Sequence, residues 1–329
     1  MRSDERNRDV LRRMRTYPSS PRRFDPHTAS QEELLRYGFP RRPDPEKEPQ
    51  QARLWKRAFV RPVRFVEAKL AIDPIMSARD PLRQKGYEFA GARWAGAIKL
   101  MSQAEGSDFR EPATMVFGQC QLPDVLAVTP TRKMAVAFWV GMDGHPSLGE
   151  PAAKQVLQAG VAAQVSRGRW PWSSTSIKWW AWTEWYTELH KDPAVAVKNF
   201  PVAPGDMVFV VVCAPQPDFG FVSMLNISRG IGVSVGIEAP PGIVAHGHSA
   251  EWIVEAPTQS PYIPIFSPVT FTDCTAGSLQ HGIFNLNDAI ASDIRTPSSS
   301  GSPYGNPLVT TTIVPSAITV MEQVDLDWF

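Results

Sequence analysis

Few residues of this 329-residue chain have the types and spacing to do chemistry, and they sit in short apolar segments. "WPWSSTSIKWWAWTEWYTELH", residues 170–190, carries six of the chain's eleven tryptophans and sets Glu184 among them. Indole is costly to expose and a carboxylate is costly to bury, so their pairing calls for a reason. "AEWIVEAP", residues 250–257, puts Glu251 and Glu255 on an apolar run, and "VLQAGVAAQV", residues 156–165, offers the amide of Gln158 beside the small Gly160 and Ala162. Acids that carry a proton and amides that donate to developing negative charge are tools of acid–base hydrolysis. His246 and His248 in "HGHSAEW" have the spacing of a metal-ligand pair. Their Gly and Ser neighbours read as turn, and Glu251 has the opposite strand parity, so no metal is expected there. Cys120, Cys213 and Cys274 are too scattered for a metal site; a Cys120–Cys274 bridge stays open, and Cys213 reads as core. The chain has no Walker loop, dinucleotide fingerprint or G-x-S-x-G element, and no cofactor is expected.

The elements that must position these groups are strands. Alternate side chains of a strand share a face. "KWWAWTEWY" therefore puts Trp180, Trp182, Glu184 and Tyr186 on one face, and Trp179, Ala181, Thr183 and Trp185 on the other. By the same rule Glu251, Ile253 and Glu255 share a face, as do Gln158, Gly160 and Ala162. Large rings beside an acid favour a ligand groove; the plainer reading of that face is a solvated strand with amphipathic rings. From about Tyr87 onward, roughly a dozen such segments follow one another, split by Gly, Pro, Asp and Ser. This pattern predicts an all-β antiparallel sandwich or barrel.

The first third differs. Residues 1–66 hold 17 Lys and Arg against 9 Asp and Glu, whereas the whole chain has a net charge of only +1, so the remainder is acidic. Residues 1 to about 29 are Arg-rich, lack periodicity and read as disordered. Ser30 and Glu33 make a capping box for a short helix, and a second helix is expected with Leu54, Trp55 and Phe59 on one side. The organisation expected is a basic extension over residues 1–85 and a β-sandwich domain over 86–329. No aromatic residues interleave with the arginines, so nucleic acid is not an expected partner; a basic segment folded over an acidic cleft fits better. No apolar run approaches the ~18 residues that span a bilayer, so membrane insertion is not expected. "MRSDERNRDVLRRMR" has no apolar signal-peptide core.

In chain order, "RWAGAI", "AFWVGMDG", "VLQAGV", "AWTEWY", "GDMVFVVV", "AEWIVEAP" and "FSPVTFTDC" resemble the successive blocks of the eqolisins, the glutamic peptidases. The resemblance covers about residues 87–325. It implies a concanavalin A-like, jelly-roll sandwich of two curved antiparallel sheets with the substrate in the concave groove. It further implies metal- and cofactor-free endopeptidase action on polypeptides at acidic pH, and favours an extracellular location. The catalytic pair falls on Gln158 and Glu251, and the groove residues on Trp94, Trp139, Asp143, Glu184 and Tyr186. Trp180 and Ala162 stand where members often carry aspartates of the carboxylate network, which bears on pH optimum and preference.

On this reading Glu251 passes a proton between water and leaving amine while Gln158 donates to the oxyanion. Like-charge repulsion from Glu184 or Asp143 would raise the affinity of Glu251 for its proton. Residues 1–85 would act as an inhibitory prosegment, loosened when groove carboxylates protonate. Two other classes compete: a glycoside hydrolase pairing Glu184 with Glu188 or Glu251, and a lectin-like binding protein that has lost catalysis.

Overall fold

The computed structural model describes residues 3–78, 93–101, 111–126, 134–145, 151–167, 175–257, 263–278, 282–295, 307–314 and 317–322. The expected boundary near residue 85 and the tryptophans at 170 and 172 lie outside them. The N-terminal segment forms α1 (Ser3–Arg13), β1 (Met14–Thr16), α2 (Gln31–Arg36), α3 (Pro49–Ala58), β2 (Arg64–Phe65), β3 (Leu70–Ile72) and a 3-10 turn, Met76–Ala78. The body supplies β4 (Trp94–Leu100), β5 (Met115–Gln121), β6 (Val125–Leu126), β7 (Met134–Met142), β8 (Gln155–Arg167), β9 (Thr175–Thr187), β10 (Val195–Val197) and β11 (Met207–Gln216). It continues with β12 (Phe219–Asn226), β13 (Ile231–Glu238), β14 (Ser249–Glu255), β15 (Ile265–Phe266), β16 (Val269–Ser278), β17 (Gly282–Phe284), β18 (Ile290–Ser292), β19 (Ile294–Arg295), β20 (Pro307–Val314) and β21 (Ala317–Glu322).

Two sheets form a sandwich, as the alternation predicts. One runs β1-β13-β12-β11-β5-β16-β21-β20-β19, with β17 on β16 and the short β2 parallel to β13. The other runs β18-β4-β14-β7-β8-β9-β10-β3 and is antiparallel throughout. The layer between them is built from one parity of each strand: Phe138, Val140, Leu157, Trp185, Trp252 and Val254 meet Val116, Val210, Val212, Val222 and Phe271. Both sheets also bury their outer faces. Phe117, Phe209, Val211 and Leu225 lie under Leu34, Phe39, Trp55, Phe59 and Phe65. Trp139, Ile253, Trp180, Trp182 and Tyr186 lie on the opposite outer face with Met76.

The capping box forms as expected: the Glu33 N–H donates to Ser30 Oγ at 3.1 Å, and the Ser30 N–H to Glu33 Oε2 at 2.8 Å. Trp55 and Phe59 of the α3 region pack with Phe39 and Phe65, the latter two rings 3.9 Å apart. The expectation of disorder before residue 29 is overturned. Asp4 and Glu5 in the first turn of α1 and Arg12 and Arg13 in its last turn match the helix dipole. The Arg13 guanidinium then clamps Asp192, Asp9 and the Glu238 carbonyl, and Met14–Thr16 pair with Val235–Ile237 at the sheet edge. The Asp192, Glu238 and β13 contacts are not local, so periodicity could not report them. All three cysteines carry free thiols, so the Cys120–Cys274 bridge is not formed, and Cys213 is half-buried against the helical outer layer.

Candidate active site

The register of the second sheet sets four residues in one row. Glu251 on β14 faces Gly141 on β7, Gly141 faces Gln158 on β8, and Gln158 faces Glu184 on β9. Neighbouring strands lie about 4.8 Å apart, so the Glu251 and Gln158 backbones stand roughly 10 Å apart with no side chain between them. A Cβ at position 141 would lie 3.1 Å from Gln158 Cβ, 3.0 Å from the Leu157 carbonyl and 2.9 Å from the Trp139 ring. The glycine therefore puts no side chain of its own between the amide and the acid, and lets the Trp139 ring and Gln158 approach closely there.

Each polar group in the row has its own setting. Gln158 Nε2 donates to Glu184 Oε2 at 2.8 Å, which fixes the amide, while Gln158 Oε1 has no partner among the described residues. Neither oxygen of Glu251 has one of normal geometry, although the side chain is fully buried. Burial pushes the Glu251 carboxyl well above the usual carboxylate range; the Asp143 charge adds to this and the nearby Ser249 hydroxyl offsets part of it. The sequence suggested the repulsive contribution, but the dominant one, desolvation, exists only in the folded chain. An orphaned buried acid is costly and uncommon in structural cores.

The expected wall residues share this face. Trp94 and Trp139 meet edge to face with centroids 5.0 Å apart, and Trp139 Nε1 donates to Glu255 Oε2 at 3.0 Å. Glu255 shared a face with Glu251 in the sequence but had no role there; the structure makes it the group that holds the Trp139 ring. Tyr186 joins the same apolar cluster. Open space expected beside Gly160 is absent, because a Cβ there would fall 2.1 Å from the Phe138 carbonyl oxygen. That glycine admits the close approach of β7.

Asp143 serves another purpose. Its carboxylate accepts backbone N–H groups from His246, Gly247 and His248 at 2.8–3.1 Å, and its own N–H donates to the Ser249 carbonyl. It thereby anchors the loop that feeds β14 and Glu251. Burial raises the Asp143 pKa, and the three backbone N–H groups offset part of the rise. His246 and His248 thus contribute main-chain donors here; among the described residues no group of three or more His, Cys, Asp or Glu is placed to hold a metal.

The sequence reading missed the cover. Beyond β3 the chain turns over this face. Trp180 Nε1 donates to Asp73 Oδ2, and Asp73 Oδ1 accepts the Ile75 and Met76 N–H groups at 2.9 and 3.1 Å. The Asp73 N–H and the Ser77 hydroxyl both donate to the Ala194 carbonyl. Met76 is completely buried in the cluster of Trp94, Trp139, Trp180 and Trp182. Asp73–Pro74 ahead of an isolated Ile-Met pair was the available signal, an Asx turn carrying an apolar residue.

Residues 92–320 match the family model described as the Peptidase A4 family. A scytalido-glutamic peptidase solved with a transition state analog inhibitor is similar at 19% identity and a TM-score of 0.52, covering 70% of this chain and 98% of that one. SCP-B, a member of the eqolisin family solved with the tripeptide Ala-Ile-His, is similar at 18% identity and a TM-score of 0.50, with the same coverage. These likenesses extend to the fold. No curated protein sequence matches the chain. Since the family model spans well over half of the sequence, the chain belongs to the Peptidase A4 family and is a peptide hydrolase of the glutamic type.

Proposed function

We propose that this chain is an acid-acting endopeptidase in which Gln158 and Glu251 form the catalytic pair. The observation that carries the reading is the partnerless Glu251 facing Gln158 across Gly141. A scissile carbonyl seated over Gly141 has the amide on one side and the acid on the other. Neutral at acid pH, the Glu251 carboxyl takes a proton from the attacking water on one oxygen, as the water oxygen bonds to the carbonyl carbon, and gives its own proton from the other to the amine nitrogen, as the C–N bond breaks. Gln158 Nε2–H faces the oxygen on which charge develops. Glu184 holds that amide at 2.8 Å and so acts as a positioning residue. Trp94, Trp139 and Tyr186 wall the groove, and Asp143 sets the approach of β14. Replacing Gln158 by Ala should cost about 10²–10³ in turnover on an unfolded protein substrate at pH 3–4, and Glu251→Gln should abolish cleavage while leaving peptide binding. Equal activity of the Glu251→Gln protein and wild type would end the assignment. A glycosidase pairing of Glu184 with Glu251 is disfavoured because Gln158 stands in the row between the two acids and its amide takes up Glu184 Oε2 at 2.8 Å.

The same reading makes the basic N-terminal extension an intramolecular inhibitor, because its Asp73–Ala78 turn packs on the face of the sheet that carries Gln158 and Glu251, both of them buried. Acid release cannot come from Glu251. A carboxyl with a raised pKa stabilises the closed form below its ordinary pKa and loses that contribution as pH rises through the raised value. Its titration therefore favours closure as pH falls. The contacts that hold the extension to the body include the ion pairs of Arg13 with Asp192 and Arg57 with Asp273. Full-length protein held at low pH should shorten and gain activity; failure to do either would refute this role. The intact chain is the right material, since β1, β2 and β3 all pair with strands of the body.

A further inference from the structure

The outer face of the second sheet has a hollow that the catalytic row does not use. Ala137 and Ala162 are direct cross-strand partners, flanked in their row by Glu255 and Trp180. The next row toward Gln158 holds Trp139, Gly160 and Trp182. Two methyl groups with Trp180 on one side, Glu255 on the other and Trp139 and Trp182 in the next row leave a low floor beside taller side chains, the shape of a pocket for one side chain. In this structure Met76 is buried in that cluster. Its turn is held by contacts with the sheet, Trp180 to Asp73 and Asp73 and Ser77 to the Ala194 carbonyl. The floor lies four residues along the strands from the catalytic row, about 13 Å, within the span of an extended peptide.

We propose that the Ala137–Ala162 hollow is a substrate subsite remote from the scissile bond, selecting a long, uncharged, apolar side chain, and that Met76 fills it by substrate mimicry. The proposal rests on the peptidase reading. Ala162 and Trp180 give the subsite its chemistry: neither position carries an acid, so the floor and one wall are apolar. Methionine suits it because an unbranched, polarisable side chain adapts to gaps between rings. Binding energy gained this far from the reacting bond can still be spent at the transition state, so the effect belongs in kcat/KM.

The test uses full-length wild type and full-length Met76→Asp on a positional-scanning set of octapeptides at pH 4. An aspartate cannot stay in an apolar cluster without a partner, so Met76→Asp should cleave at least about tenfold faster at first contact than wild type, by the ordinary scale of one side chain's worth of binding. Met76→Leu, close in volume, should stay latent. At one position three or four residues from the cleaved bond, Met and Leu should beat Ala by about tenfold, and Ala162→Leu in the Met76→Asp background should erase that preference while small-residue peptides are still cut. A preference for Lys or Arg, a preference unmoved by Ala162→Leu, or equal rates for wild type and Met76→Asp would overturn the proposal while leaving the peptidase reading standing. No cleavage by any of them, as with Glu251→Gln, would instead sink that reading, and the subsite with it as a substrate site. Independently of turnover, tryptophan fluorescence should show Met76→Asp binding a synthetic peptide of residues 70–78, and binding its Met76→Ala version about tenfold less well; equal binding of the two peptides counts against the hollow.

Discussion

The N-terminal segment covers two outer faces of one sandwich, and the two could hardly differ more in chemistry. Under α2 and α3 the first sheet buries Phe117, Phe209, Val211 and Leu225 against Phe39, Trp55, Phe59 and Phe65, an apolar layer with its helix cap satisfied. On the outer face that also carries the Asp73–Ala78 turn, the second sheet buries a carboxyl with no partner of normal geometry, a half-satisfied amide and a carboxylate that holds it. The first layer is what folding alone would build. The second keeps polar groups dry at a cost that packing does not require. A cover over apolar rings is core; a cover on a face that buries such polar groups calls for another reason.

Breaking each face should have opposite signatures. Glu251→Gln should abolish peptide cleavage, a loss of at least about 10²–10⁴-fold, with an unchanged melting temperature at pH 4, where acid and amide are both neutral. Phe39→Ala should do the reverse, losing about 3–5 kcal/mol of stability in denaturant melts while the activity per folded, opened molecule holds. If Phe39→Ala silenced a fully folded protein, the comparison would fail. Gly141→Ala lies between the two: its Cβ crowds the Trp139 ring and Gln158, so about 1–3 kcal/mol of stability and a larger share of kcat should be lost together. The pH dependence sharpens the contrast further. Wild-type stability minus that of Glu251→Gln should decline as pH rises above the ordinary carboxylate range, following the raised Glu251 pKa, and equilibrium unfolding from pH 4 to 8 measures it. A flat difference would mean that Glu251 is hydrated in solution. Ser30→Ala should be the mildest change, about 1 kcal/mol read by thermal melting, with cleavage untouched.

Much of the site's layout was legible because strands have a simple code. Parity grouped Trp180, Trp182 and Glu184, and the structure keeps them on one face; Glu251 with Ile253 and Glu255 behaves likewise. The Ser30–Glu33 box was legible for the same reason, since it spans one helical turn. What escaped was long-range. α1 and β1 were missed because their anchors, Asp192 and β13, lie nearly 180 and more than 200 residues away. Asp143 looked like a groove acid, yet its oxygens turn to the main chain of residues 246–248. The space expected at Gly160 is occupied by neighbouring backbone.

The sequence by itself determined the alternation that makes two-faced strands, the short helix caps, and the residue types able to hold and pass a proton. These are properties of neighbours along the chain, set by a period of two or by a single turn. Only the tertiary structure decided that Glu251 and Gln158 share a row with a glycine between them, because register is fixed where several strands pack at once. It alone decided that the acid is dry, since desolvation depends on what lies above the sheet. And it alone brought Met76 and Asp73 onto that face from a stretch whose local pattern says only that the chain turns.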